Sequence, residues 1–157
     1  MWYRERMDDT TDDDGFWAQL VPELSVRDLD QSLRFYRDVL GFSEKIRRPE
    51  DRFSYLELGQ AQIMIEEVPE NTAATWQTGP LEAPFGRGLN LQIEVEHARA
   101  LHDRIVAAGY KVFAPLKVAW YRDGTLEHGQ EQFLVQDPDG YLLRFMKHLG
   151  TRVASDP

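Results

Sequence analysis

Carboxylate and amide side chains alternate with aliphatic residues in three segments of the chain. Glu23 lies in LVPELSV, Gln62 and Glu66 lie in AQIMIEE, and Gln92 and Glu94 lie in LNLQIEVE. Because alternate residues of a β-strand point to the same side, each segment would place its polar residues on one face and its aliphatic residues on the other. Such a polar face has the chemistry to bind a cation through its carboxylates.

One arginine interrupts the apolar segment YLLRFM, which follows the turn sequence Asp137–Gly140. The proline of that turn presets φ, and its glycine accepts a positive φ. On the strand, Arg144 shares a face with Leu142 and Met146. A buried, unpaired guanidinium is costly, so we expect a carboxylate partner, with Glu23 favoured over the other inner-face glutamates. A carboxylate or phosphate of a ligand is the alternative partner.

Four histidines are candidates for acid–base or metal chemistry, but no HxH or HExxH spacing occurs. His97 and His102 lie in a helical segment, His148 lies near the C-terminus, and His128 lies in a Gly-flanked segment. We interpret them as surface or loop residues. In the alternative, His128 and either Glu127 or Glu131 form an acid–base pair, provided that this loop folds over the site.

Aromatic residues accompany the polar segments. Phe53 and Tyr55 alternate onto one strand face, and others lie in or beside flexible segments, namely Trp76, Phe85, Trp120 and Tyr121. Aromatic walls with a few carboxylates suit a flat, cationic organic molecule. The alternative is that these rings fill the core or the seam of a dimer.

Two helices with similar patterns must position these strands. In the first, Asp28 is the expected N-cap, Leu29, Leu33, Tyr36 and Leu40 form an apolar stripe, and Gly41 ends the helix. The second has its stripe at Ala98, Leu101, Ile105 and Ala108 and ends at Gly109. Nearly equal intervals separate the two terminal glycines and the strands before the helices, which indicates an internal repeat.

The strand pattern predicts the order β-α-β-β-β twice. Strands are expected at 20–26, 43–46, 53–58 and 61–67 in the first copy, and at 89–96, 111–114, 118–122, 132–136 and 141–146 in the second. The predicted fold is α+β, with two tandem βαβββ modules forming a curved, cup-like sheet and helices on the outer face. Whether the cup forms within one chain or between two stays open.

Composition limits the remaining possibilities. The 157 residues carry a net charge of −9, which argues against nucleic-acid binding, and no apolar run approaches membrane-spanning length. The chain has no cysteine and no signal-peptide pattern at its start, so we expect a cytoplasmic protein. We divide it into an acidic arm (1–15), a first module (16–67), a linker (68–88), a second module (89–149) and a tail (150–157). The long linker is expected to lie across the cup mouth or to reach a partner.

The segments VPELSVRDLDQSLRFYRDVLGF and EQFLVQDPDGYLLRF resemble the vicinal-oxygen-chelate superfamily, which includes glyoxalase I, the extradiol dioxygenases and the bleomycin- and fosfomycin-resistance proteins. The resemblance runs from about Phe16 to Leu149. It implies that the metal-ligand positions of the family fall on Val21, Met64, Asn90 and Arg144, where a register slip of two would replace Met64 by Gln62 or Glu66. These side chains suit a divalent cation poorly, so no metal and no cofactor is expected.

The resemblance is greatest to the bleomycin-resistance branch, which implies a metal-free homodimer that sequesters a small aromatic or cationic, antibiotic-like molecule. One alternative is a metal-dependent lyase, isomerase or dioxygenase with displaced ligands such as His128, Glu131 and Glu66. Another is a module that acts only through protein contacts. No nucleic acid or membrane partner is expected. The predicted ligand-binding residues are Glu23, Tyr55, Met64, Glu66, Trp76, Phe85, Asn90, Gln92, Glu94, Trp120, Tyr121, His128 and Arg144.

Overall fold

Two βαβββ modules make up the computed structural model, which describes residues 15–68 and 76–154. The first contains β1 (Glu23–Val26), α1 (Leu29–Leu33), β2 (Ser43–Arg48), β3 (Phe53–Leu58) and β4 (Ala61–Glu67). The second contains β5 (Asn90–Glu94), α2 (Ala98–Ala107), β6 (Val112–Asp123), β7 (Leu126–Gln136) and β8 (Leu142–Val153). The predicted α+β class with tandem modules is confirmed. Most of the predicted arm, linker positions 69–75 and the last three residues of the tail lie outside the described residues.

Each module forms its own four-stranded sheet with the same topology. The strand orders are β1-β4-β3-β2 and β5-β8-β7-β6. In each sheet the first strand pairs in parallel with the last, and the other pairs are antiparallel. Within the described part of the chain neither sheet pairs with the other, so β1 and β5 each keep one open edge.

The first helix begins and ends as its sequence predicts. The Asp28 carboxylate accepts a hydrogen bond from the Gln31 backbone N–H at 2.9 Å, and Gly41 takes a φ of +89°. After α1, a π-helical turn over Arg34–Val39 lets the Leu40 N–H donate to the Phe35 carbonyl at 2.9 Å. The second helix likewise buries Ala98, Leu101 and Ile105 and ends before Gly109, whose φ is +84°.

One hydrophobic core lies between the two sheets and holds both helices. It takes Leu24 and Ile65 from the first sheet and Phe133 and Phe145 from the second. Helix-side contacts join the modules: the rings of Phe35 and Tyr110 lie 4.7 Å apart, and the Arg104 guanidinium donates to the Leu40 carbonyl at 2.8 Å. Because the aliphatic faces of both sheets meet this core, their polar faces point away from it.

The turn between β7 and β8 links three parts of the chain. Arg27 of the first module donates to the Asp139 carboxylate at 2.6 Å, and the Tyr141 hydroxyl donates to the Ser25 carbonyl at 3.1 Å. From the linker, the Phe85 backbone N–H donates to the Asp139 carbonyl at 2.8 Å. The end of the linker is therefore docked on this turn.

Three strands of the second module, β6, β7 and β8, are longer than predicted, whereas β5 is shorter. Residues 111–114 and 118–122 belong to one strand, β6, which passes through Pro115 with two irregularities in its pairing to β7. The segment around His128, predicted as a loop, lies in β7, and β8 continues to Val153. None of the helices in the described ranges is long and apolar enough to cross a membrane.

Candidate functional site

The first polar face is the side of the first sheet that points away from the core. Glu23 of β1 lies opposite Met64 of β4, which lies opposite Tyr55 of β3. One step along, Ser25 lies opposite Glu66 and Glu66 lies opposite Phe53. The structure thus brings together four of the predicted site residues: Glu23, Tyr55, Met64 and Glu66. The register that places Gln62, Met64 and Glu66 on this face follows from strand alternation.

Two carboxylates on this face interact directly. Burial raises the pKa of Glu23, and the charge of Glu66 and a hydrogen bond with it raise this pKa further, whereas nearby Arg48 lowers it. Two acids that repel each other in this way gain from a positive charge placed between or above them. The Arg48 guanidinium itself is stacked 4.0 Å from the centre of the Phe53 ring. The pair is therefore a site of negative charge beside an aromatic surface.

The segment before β1 covers one end of this face. The Gln62 amide, only 4% exposed, accepts from the Ala18 N–H at 2.8 Å and donates to the Phe16 carbonyl at 2.6 Å. The same oxygen accepts from the Tyr55 hydroxyl at 2.8 Å. Trp17 packs edge-on against Tyr55 at 5.3 Å, Lys45 Nζ lies 4.5 Å from the centre of the Trp17 ring, and the residue is 42% exposed. Sequence reasoning missed Trp17, because no periodic pattern places it against the sheet.

The second polar face is the corresponding side of the second sheet. Gln92 of β5 lies opposite Arg144 of β8, which lies opposite Leu134 of β7. Asn90 and Glu94 extend this face along β5, and both are exposed. The face continues over Gln132 and Gln130 of β7 to His128, whose pairing partner on β6 is Tyr121. Five further predicted site residues besides Arg144 therefore share this face: Asn90, Gln92, Glu94, Tyr121 and His128.

The predicted Arg144–Glu23 ion pair is wrong. The two residues belong to separate sheets that turn their polar faces away from a shared core, and Glu23 interacts with Glu66 instead. Among the described residues Arg144 joins no ion pair, and its Nε is buried without a hydrogen-bond partner. The guanidinium thus lies on the polar face as expected, but its partner does not come from this chain's first module.

Three aromatic residues predicted to bind ligand occupy other places. Phe85 is 6% exposed and belongs to the core, edge-on to Tyr141. Trp120 pairs with Gly129 on the helix side of the second sheet, where the Arg152 guanidinium lies 3.9 Å from the Trp120 ring. Trp76 is 77% exposed. These placements put Phe85 and Trp120 off the polar faces.

The alternative acid–base pair of His128 with Glu127 or Glu131 does not form. Glu127 binds Arg152 at 2.8 Å and Glu131 binds Arg99 at 2.6 Å, because odd-numbered residues of β7 point to the opposite side from His128. The His128 ring instead lies 3.4 Å from the Asp123 carboxylate and 3.2 Å from the Thr151 hydroxyl.

Two of the remaining histidines contact only the carboxylate of an adjacent residue: His102 Nδ1 lies 2.9 Å from Asp103, and His97 Nε2 lies 3.9 Å from Glu96. His97 and His148 are exposed, and His102 packs against Phe133 at 5.3 Å beside Asp103. Within residues 15–68 and 76–154, no three His, Asp or Glu side chains are grouped as metal ligands. The displaced set His128, Glu131 and Glu66 is therefore not assembled within one chain.

The residues at the four ligand positions of metal-dependent relatives do not fit a divalent cation. Val21 has no donor atom, and the Arg144 guanidinium is a permanent cation. Met64 offers a thioether and Asn90 a neutral amide, which suit a hard cation poorly. A catalytic metal is usually held by about three protein ligands. These four residues do not provide them, so they support no metal-dependent reaction step.

Comparison with known proteins places this fold among described families. The family model "Glyoxalase/Bleomycin resistance protein/Dioxygenase superfamily" matches residues 17–145. A lactoylglutathione lyase of Neisseria meningitidis is 30% identical over 127 residues, covering 79% of this chain and 86% of that protein. A bleomycin resistance protein of Geobacillus stearothermophilus is 28% identical over 142 residues, covering 83% and 97%. A crystal structure from Agrobacterium tumefaciens superposes with a TM-score of 0.63 at 27% identity, covering 86% and 97%.

Proposed function

Because this chain belongs to the Glyoxalase/Bleomycin resistance protein/Dioxygenase superfamily, we propose that it is a metal-free binding protein that sequesters a small aromatic or cationic, antibiotic-like molecule. The name of the bleomycin resistance relative supports a binding function, and its similarity covers almost all of that protein. The lyase relative is an equally similar chain. The donor set at the family's ligand positions favours binding over lyase chemistry.

The observation that carries the proposal is the Glu23–Glu66 pair beside Phe53, Tyr55 and Trp17 on the first polar face. Burial, and then the charge of Glu66 and a hydrogen bond with it, raise the pKa of Glu23 more than nearby Arg48 lowers it, which supports a role for a further positive charge at this pair. A ligand cation would supply that charge, and its aromatic part would pack beside the partly exposed Trp17, whose ring Lys45 Nζ contacts at 4.5 Å. A flat aromatic cation satisfies both requirements at once.

We further propose that the binding cleft forms between two copies of the chain. Both sheets turn their aliphatic faces to one core and their polar faces away from it, which supports a cleft that a second copy completes. A second copy can bring its second polar face against the first polar face of its partner. A cytoplasmic location is retained as part of this proposal.

Titration calorimetry with bleomycin and with ethidium, a planar aromatic cation, tests the charge contribution. Glu23→Gln/Glu66→Gln should weaken binding at least about tenfold, because it removes both carboxylates from a partly desolvated face. Glu50→Gln, an exposed charge change in the turn Pro49–Asp51, serves as the control and should leave affinity unchanged. Wild-type binding should weaken as the pH falls from neutral towards the ordinary pKa of a glutamate, because the raised pKa of Glu23 means that it takes up a proton at a higher pH than an ordinary glutamate does.

A thermal-shift series with the same compounds gives an independent readout, since a ligand of the folded state raises the melting temperature with concentration. If no cationic aromatic compound binds, or if the double variant binds as tightly as wild type, the proposed function is wrong. Lyase activity with a stoichiometric bound metal in protein purified without chelators would support the alternative enzyme.

A further inference from the structure

Three polar atoms on the second polar face are buried without a hydrogen-bond partner among the described residues. They are the Nε of Arg144 and the Oε1 atoms of Gln130 and Gln132. We name these residues the Arg144 cluster. Buried polar groups are almost always satisfied in native proteins, because an unpaired one loses its hydrogen bonds to water without replacement. Three such atoms on one face indicate that a group from another molecule forms hydrogen bonds with them.

Strand register places the three residues side by side. Arg144 lies opposite Leu134, Gln132 lies opposite Met146, and Gln130 lies opposite His148. Gln132 is therefore a diagonal neighbour of Arg144, and Gln130 is the next residue along the same face of β7. Diagonal neighbours lie within reach of long side chains, and same-face residues on one strand are about 7 Å apart.

One amide of the cluster contacts a hydroxyl group of β6. Gln132 is 2% exposed, and its Nε2 donates to the Tyr121 hydroxyl. In this orientation of the amide, the oxygen is the atom that needs a donor. The Arg144 Nε can only donate. The cluster consequently offers one N–H donor and two carbonyl acceptors.

We infer that the Arg144 cluster recognises an uncharged amide or urea group of the ligand. The carbonyl of such a group accepts from the Arg144 Nε–H, and its N–H groups donate to the two glutamine oxygens. A carboxylate or phosphate fits the guanidinium but brings further lone pairs against the glutamine oxygens. An amidinium has donors for the oxygens but places a positive charge beside Arg144. This inference rests on the proposed function, because it assigns one end of the same ligand.

Three compounds that share one ring separate these chemistries: benzamide, benzoate and benzamidine. Two-dimensional NMR of the full chain labelled with nitrogen-15 would follow the Arg144 Nε–H and glutamine side-chain amide signals during each titration. Benzamide should shift these signals and bind at least about tenfold more tightly than benzoate, the equivalent of one hydrogen bond of about 1.4 kcal/mol. Benzamidine should shift signals of the first polar face, where Glu23 and Glu66 lie.

Variants test the named atoms. Arg144→Lys keeps the charge but lacks the Nε–H, and should lower benzamide affinity about tenfold without improving it for benzoate. Gln132→Leu should have the same effect on benzamide. Gln136→Leu is the control, because Gln136 lies on the same face of β7 but its amide donates to the Gly140 carbonyl at 3.1 Å. Melting curves of each variant verify that it is folded.

Several outcomes would overturn the inference. These are benzoate binding as tightly as benzamide, benzamide binding without shifts of the Arg144 Nε–H signal, full affinity in Arg144→Lys, and no benzamide binding up to its solubility. Failure here is distinguishable from failure of the proposed function, because ethidium binding that depends on Glu23 and Glu66 is measured separately. If benzamide fails to bind as expected but ethidium binding still depends on Glu23 and Glu66, the inference about the Arg144 cluster is wrong and the proposed function stands.

Discussion

Asp137 places one carboxylate at the junction of the two modules. One oxygen accepts from the backbone N–H groups of Asp139, Gly140 and Tyr141 at 3.0, 2.8 and 2.8 Å. The other accepts from the Tyr36 hydroxyl of the first module at 2.8 Å. Burial nevertheless raises the pKa of Asp137 to about 6, against the lowering effect of these hydrogen bonds. The ionised form of the Asp137 carboxyl therefore lowers the free energy of unfolding relative to its protonated form.

This raised pKa predicts a fall in stability between acidic and neutral pH. The contribution of Asp137 is fully present below the unfolded-state value of 3.8 and is lost as the pH rises through about 6. Asp137→Asn cannot ionise, so relative to wild type it should gain about 2 kcal/mol in free energy of unfolding between pH 4.5 and pH 7. Urea unfolding at both pH values measures this difference. Asp38→Asn, at a side chain 54% exposed, is the control and should show no such gain; an equal pH response in both variants would contradict the prediction.

Individual site residues differ in how far the sequence determines them. Glu23 and Glu66 share a face because strand alternation alone requires it, and the structure has them there. The partner of Arg144 could not be deduced, because it depends on how the two sheets pack, and no local pattern encodes that arrangement. The docking of Trp17 depends on the buried amide of Gln62, whose two backbone bonds reach across more than 40 residues of chain.

At the scale of elements, the β7–β8 turn requires a glycine for two separate reasons. Gly140 has a φ of +102°, and a Cβ there would lie 2.4 Å from the Cβ and 2.6 Å from the Cα of Pro84. The turn sequence predicts the positive φ. The close approach of the linker is a tertiary contact, so it cannot be predicted from the turn sequence itself.

Gly140→Ala should therefore lower the free energy of unfolding by about 3 kcal/mol or more, because left-handed strain adds to a clash with backbone. Gly59→Ala is the matched control: its φ is +59°, but nothing lies within 4 Å of the added Cβ. It should lose only about 1 kcal/mol. Urea unfolding of both variants gives the comparison. Equal losses would show that the linker moves away from the turn without cost.

The lengths of the strands are only partly predictable from the sequence pattern. β3 and β4 have the bounds that alternation predicts, because both pack an aliphatic face on the core. In the second module, β6 runs through Pro115, and β8 continues through His148 and Gly150, residues that weaken any strand prediction. Pairing to the long β7 supplies the backbone hydrogen bonds that carry these strands past their core contacts.

At the scale of the whole molecule, the two modules share one core and expose equivalent open edges. Leu20 and Leu89 precede β1 and β5 at matching positions of the repeat, and they are 86% and 49% exposed. Exposed apolar residues beside an unpaired strand edge are typical of a surface that another chain covers. The two edges are also the ones nearest to Glu23 on the first polar face and to Gln92 on the second.

We expect the protein to be a dimer in solution in which these edges meet, so that light scattering after size-exclusion chromatography gives about twice the chain mass of 18.2 kDa. Leu20→Lys/Leu89→Lys should shift the mass to that of one chain, because one charge would be buried beside each of the two edges without a partner. Val106→Lys, on the exposed side of α2 at 52% exposure, makes the same chemical change away from the edges and should stay dimeric. If the cleft is shared, the monomeric variant should also lose ethidium binding. A wild-type monomer that binds ethidium with full affinity would contradict the shared cleft and confine the ligand to one polar face.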